Sequence, residues 1–154
     1  MVRCRHFLGV ILVLWYAASQ PVLACSYDGQ FNNPFAESYP GSLDVALATR
    51  EAIISKKINR PKKLSGVQGL ARAQWWLNLL HRKWPAELDE VSYIYLVDSQ
   101  LWSQRQSGQL KIHVPVPDDT QSVLLLSEAA LAALIGNEIN FEQANAMKII
   151  IAME

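Results

Sequence analysis

The chain has 154 residues, with 14 Lys and Arg balanced by 14 Asp and Glu, 51% hydrophobic residues and two cysteines. Apolar content is too high and charge too low for a disordered chain. Two cysteines cannot make a disulfide-rich miniprotein or a four-cysteine zinc site, and zero net charge argues against a binder of bulk polyanions such as nucleic acid. The length suits one domain.

The N-terminus carries the first signal. Arg3 and Arg5 precede an apolar run from Phe7 to Ala18, followed by Ser19, Gln20, Pro21 and Val22-Leu23-Ala24. A basic start, a short apolar stretch and a small residue at its end form the pattern of a secretory signal. About a dozen apolar residues fall short of the roughly 20 that cross a ~30 Å hydrocarbon core. Residues 1–24 therefore read as a cleaved signal peptide, cut between Ala24 and Cys25. Val22-Leu23-Ala24-Cys25 resembles the bacterial lipobox. The resemblance implies that Cys25 is the lipid attachment site and the first mature residue, tethering the protein to a membrane. Cys4 leaves with the signal, so Cys25 is the only mature cysteine. A lone thiol in an oxidising compartment is a liability that a thioether lipid removes. Ser26 follows it; the same resemblance implies that Ser at this position permits sorting to the periplasmic face of the outer membrane. A soluble periplasmic protein is the alternative.

Charge in the mature chain is unevenly placed. Residues 25–49 hold three acids and no base, residues 50–83 hold nine bases against Glu51, and residues 84–154 hold three bases and ten acids. Residues 25–41 are rich in turn chemistry: Gly29, Asn32-Asn33-Pro34 and Tyr39-Pro40-Gly41. Tyr27, Phe31, Phe35 and Tyr39 recur every four residues, but Gly29 and Pro34 oppose a helix. The segment reads as an extended tether whose rings dock on the folded body, leaving residues 42–154 as a single domain.

Ser42 is a candidate N-cap, with Asp44 in the first turn where the helix dipole favours an anion. Leu43, Ala46, Leu47, Ile54 and Ile58 mark the apolar face of a helix over 43–57. Pro61 then breaks the pattern, and Lys56, Lys57, Arg60, Lys62 and Lys63 crowd one short stretch. Ser65 caps a second helix running to Trp84, in which Leu70, Ala73, Leu77, Leu80 and Trp84 form an apolar stripe. Pro85 stops it. Val91–Val97 is β-branched and aromatic, a strand signal; Trp102 extends it or begins a second pairing. After the Ser107-Gly108 turn, Leu110, Ile112, Val114 and Val116 alternate as in a half-buried strand. Ser122–Leu126 reads as a buried strand, Ser127 as the cap of a short helix Glu128–Ile135, Phe141–Met147 as a helix or turn, and Lys148–Met153 as the last strand. The fold class is α+β. Two N-terminal helices precede a small, mainly antiparallel sheet of about four strands, with two short helices before the last strand and the helices on one sheet face.

Chemistry is sparse. The sequence has no nucleophile elbow, no phosphate-binding glycine loop and no zinc-protease motif. His81, beside Arg82 and Lys83, suits a helix C-terminus, and His113 lies in the predicted strand 110–116. Nothing brings them together as a metal pair. Asp89/Glu90 and Asp118/Asp119 flank Pro-containing turns and read as solvated loop acids. No cofactor, metal or catalytic residue is expected. The basic run 56–63, with Trp75 and Trp76 in the next helix, is the candidate partner or lipid surface. Each cation near an acidic membrane contributes ~1 kcal/mol. Trp75, Trp76, Trp84 and Trp102 serve as core filler or line a shallow apolar cleft.

From Ser122 onward the run SVLLLSEAALAALIGNEINFEQANAMKIII resembles the closing segment of sterol-carrier-protein-type domains. Those have a strand, a short helix ending in Gly, a few residues to an Ala, and a final strand. With Tyr93–Trp102 and Leu110–Val114 as preceding strands and helix 65–84 as a cover, the resemblance spans residues 65–152. It implies an apolar cavity between sheet and helices for a lipid-like ligand, and no catalytic residues. The leading expectation is an exported, lipid-anchored, non-enzymatic envelope protein that binds a partner protein. A carrier of an apolar ligand and an enzyme of unrecognised type are the alternatives.

Overall fold

Short strands whose side chains alternate between two sheet faces, and helices with three-to-four spacing, organise residues 39–117 and 121–153, the part of the chain described by the computed structural model. The chain order is α1 (Ser42–Ile54), α2 (Gly66–Arg82), a 3₁₀ turn (Ala86–Leu88), β1 (Tyr93–Leu96), β2 (Leu101–Gln106) and β3 (Gln109–Ile112). There follow β4 (Val123–Leu126), α3 (Glu128–Ile135), α4 (Phe141–Ala146) and β5 (Ile150–Met153). The class is α+β, as expected. The sheet has five strands in the order β3-β2-β1-β4-β5.

Trp102 does not extend β1. It sits in β2, which folds back on β1 with Leu96 opposite Leu101. β2–β3 and β4–β5 are also antiparallel, whereas β1 and β4 run parallel, from Tyr93↔Val123 to Leu96↔Leu126. The sheet is thus mixed, with one parallel pair at its centre.

The alternation expected through Val116 stops early. His113 adopts a left-handed backbone (φ 64), and both its N–H and that of Val114 donate to the Trp102 carbonyl. That reversal ends β3 at Ile112. Leu110 and Ile112 pack on one face of the sheet, but Val114 is carried to the other.

The two faces bury different chemistry. On one, Ile94, Leu96, Leu124 and Leu126 meet Ala73, Leu77 and Leu80 of α2 and Ala130, Leu131 and Leu134 of α3. The α2 stripe therefore faces the core as its spacing predicts. Each fully buried leucine or isoleucine among them contributes about 1.5–3 kcal/mol. The interlayer space in which the sterol-carrier resemblance would place a cavity is occupied at these positions by packed leucines, of which Leu77, Leu96, Leu124, Leu126 and Leu131 are solvent-inaccessible. On the other face, Tyr95, Trp102, Val123 and Leu125 are buried, with Tyr39, Tyr93 and Val114 packed against them. Tyr39 docks its ring edge-on to Trp102 at 5.1 Å and lies 6.0 Å from Tyr95. Its expected companions Tyr27, Phe31 and Phe35 lie outside the described residues.

Helix α1 inverts its expected packing. Leu47 and Ile54 are 55% and 68% exposed, and Leu43 is exposed as well, while Ser42, Val45, Thr49 and Ala52 are buried. The reason is what α1 packs on. Gly41, at φ 80, takes a left-handed backbone that side-chain-bearing residues rarely adopt, and it sets the chain in contact range of Leu125 and Met153. Gly41 stands at the N-cap, so Ser42 is the first helical residue, and its hydroxyl bonds the Tyr39 carbonyl. Val45 then joins the aromatic face and Ala52 the leucine face. Between them, the Thr49 hydroxyl donates to Ser127 Oγ at 3.0 Å. Small and hydroxyl side chains fit this close crossing at the end of β4; leucines do not.

The later helices have legible starts. Ser127 Oγ accepts from the Ala130 N–H. Asn140 and Gln143 form a reciprocal capping box at the start of α4. Ser65 occupies the N-cap of α2 without a side-chain hydrogen bond.

Candidate functional site

The basic run forms the connection between α1 and α2. Helix α1 ends with Lys56 in the left-handed region (φ 57). The Lys56 N–H bonds the Ile53 carbonyl and the Lys57 N–H bonds the Ala52 carbonyl, closing the helix as such caps do. Three further ties hold the connection down. Ile58 is buried in the main cluster. The Asn59 N–H donates to a Glu138 carboxylate oxygen at 3.1 Å. Arg72, lying 4.5 Å over the Trp76 ring, donates through Nη1 to the Lys62 carbonyl and through Nη2 to Glu128 at 3.1 Å. Arg72 and Glu128 are largely shielded from solvent, so losing either partner strands a poorly hydrated charge.

With its backbone tied to the body at these points, the connection leaves its cations exposed. Lys56, Lys57, Arg60, Lys62 and Lys63 are all exposed, and none makes an ion pair with another described residue. Exposed apolar side chains border them: Ile54 on one side and Val67 on the other. The two adjacent tryptophans part company. Trp75 is 61% exposed, whereas Trp76 is turned into the core at 9%. Successive helical residues point about 100° apart, so they cannot share a face. Of the candidate surface residues, the five cations and Trp75 are exposed, whereas Trp76 is lost to the core.

Behind the connection lies a cleft of about 490 Å³. It opens where the parallel strands β1 and β4 end and α3 begins. Thr49, Arg50 and Ile53 line it from α1, Arg60, Lys63 and Leu64 from the connection, and Arg72 from α2. Asp98 and Glu128 complete it. A carboxylate oxygen of Asp98 accepts the Glu128 N–H. Although Asp98 opens onto the cleft, the surrounding walls strip its hydration and raise its carboxyl above the ordinary range. The Glu128 N–H opposes that rise and the Glu128 charge adds to it. Only part of this site was visible as a charge run. Arg50, Arg72, Asp98 and Glu128 stand in no local motif; they are gathered by the parallel pairing of β1 and β4 and by the crossing of α1.

The remaining candidates disperse. Trp84 is half-buried, donates to the Leu88 carbonyl and carries Arg105 over its ring at 4.6 Å. Trp102 lies on the opposite face of the sheet from Trp76 and Trp84. The four tryptophans thus line no common cleft. His81 sits in the last turn of α2 with Nε2 3.1 Å from the Gly108 carbonyl. Asp89 pairs with Arg105 at 3.0 Å. Among the described residues no group of three or more His, Cys, Asp and Glu is placed to hold a metal ion, and no helix is long and apolar enough to cross a membrane. Ala24, Cys25, Asp118 and Asp119 lie outside the described residues. No protein-family model matches the chain, and no curated protein and no solved structure is significantly similar to it.

Proposed function

We propose that the protein is an exported, lipid-anchored, non-enzymatic module of the bacterial cell envelope. It binds an acidic partner protein through the connection 56–63 and Trp75, from the periplasmic face of the outer membrane. The observation that carries this reading is the anchored connection itself: five exposed cations, without ion pairs among the described residues, on a backbone held at Ile58, Asn59 and Lys62. Cations held in place raise the local potential, steering an oppositely charged face into register. Trp75 supplies an exposed aromatic of the kind that anchors interfaces. The tether rests on the sequence around Cys25.

Two measurements test it. Cys25→Ala should release the protein from the membrane fraction and abolish labelling with radioactive palmitate; unchanged fractionation in an unlabelled protein defeats the tether. A photo-crosslinker in place of Trp75 should give one discrete adduct in cells, lost when Lys56 and Lys57 are changed to Glu. A smear, or an adduct indifferent to that change, defeats the partner surface. Stoichiometric lipid released from the purified protein would favour a carrier instead.

A further inference from the structure

The fold divides the five cations of the connection into two groups. Arg60 and Lys63 line the cleft behind it, whereas Lys56, Lys57 and Lys62 do not. Arg50 reaches the same cleft from α1. None of Arg50, Arg60 and Lys63 has an ion-pair partner among the described residues. Arg72 is also in the wall, but its charge is met by Glu128. Asp98 balances one more cation. Four bases against two acids leave the cleft with a residual charge of two positive units.

We infer that this cleft is a binding site for a phosphoryl group. A phosphate monoester carries about −1.5 to −2 at neutral pH, which matches the residual charge. Two of the three unpaired cations are guanidiniums, whose planar forks suit phosphate oxygens better than a point charge does. Ile53, Leu64 and Ala129 form apolar stretches of the wall; by limiting water they strengthen the attraction to a bound anion. The cations are the gripping elements here. The first amide of α3 is already taken by Asp98, so the helix end adds only its dipole. The inference shares Arg60 and Lys63 with the partner surface but does not rest on that reading. It concerns the cations that line the cleft, and its test involves no other protein.

The experiment uses the full-length protein in a neutral detergent at constant ionic strength. It is titrated calorimetrically with inorganic phosphate and with a short-chain phosphatidic acid. Saturable binding of inorganic phosphate identifies a free phosphoryl ligand as sufficient; binding of the phosphatidic acid alone identifies a lipid headgroup. Either supports the site. Absence of both overturns it. Arg50→Gln with Arg60→Gln should weaken binding by at least about tenfold, since each change deletes a charge-assisted contact. Lys56→Gln with Lys57→Gln should stay within about twofold, because those cations do not line the cleft. Equal losses would reveal a diffuse field rather than a site. Both pairs are exposed, so coincident thermal melts are expected; should the arginine pair unfold the protein, Lys63→Gln carries the same comparison.

Discussion

The inverted packing of α1 can be tested directly by setting one small buried residue against three large exposed ones. Val45 is fully buried. Val45→Ala removes two buried carbons at about 0.8 kcal/mol each, and the residual cavity raises the cost to about 2 kcal/mol. Leu43, Leu47 and Ile54 each keep more than half of their surface in water. Replacing all three with Ala removes far more hydrocarbon, yet little of it is buried, and alanine is the better helix former. The triple variant should stay within about 1 kcal/mol of the parent. The assay is urea unfolding followed by tryptophan fluorescence, with both variants keeping the parental slope so that midpoints compare directly. A triple variant that loses more stability than Val45→Ala would falsify the packing, because it would mean that the conventional apolar face of α1 is the one in the core.

Two further outcomes follow from buried polar groups. Ser127→Ala removes the acceptor shared by the Thr49 hydroxyl and the Ala130 N–H; it should cost about 2–3 kcal/mol, whereas Thr49→Val, which leaves the cap intact, should cost under about 1 kcal/mol. Equal costs in denaturant melts would show that the hydroxyl pair, not the cap, dominates. Burial pushes the Tyr95 phenol up from 10.0 to about 12. Below pH 10 the phenol is neutral in both states. Above it, the unfolded chain ionises first, so stability should fall between pH 10 and about 12, by up to about 1.4 kcal/mol per pH unit. Tyr95→Phe should flatten that fall relative to the parent; an unchanged alkaline profile in the variant would assign the loss to other groups.

Local patterns were readable wherever the physics is local. The α2 stripe at Ala73, Leu77 and Leu80, the Ser127 cap and the buried run Val123–Leu126 follow from helical and strand periods and from capping chemistry, and together they indicate the α+β class. The divergence of Trp75 and Trp76 was also implicit, since neighbours on a helix point apart. The capping box at Asn140 and Gln143 had a signature too, in the three-residue spacing of Asn and Gln.

Other features depended on partners remote in the chain. The hydrophobic period of α1 marks Leu43, Leu47 and Ile54, but burial went to Val45, Thr49 and Ala52 because α1 crosses closely over Leu125 and Ser127. The left-handed turn at His113, not the alternation itself, decided where β3 ends. Nothing local announces that β1 and β4 run parallel, because that register pairs residues thirty apart in the chain. The cleft depends on it. The amino-acid sequence by itself determined that five cations would crowd the connection between α1 and α2. Only tertiary anchoring at Ile58, Arg72 and Glu138 decided which of them face solvent alone and which line a shared cavity, since side-chain direction follows from where the backbone is tied.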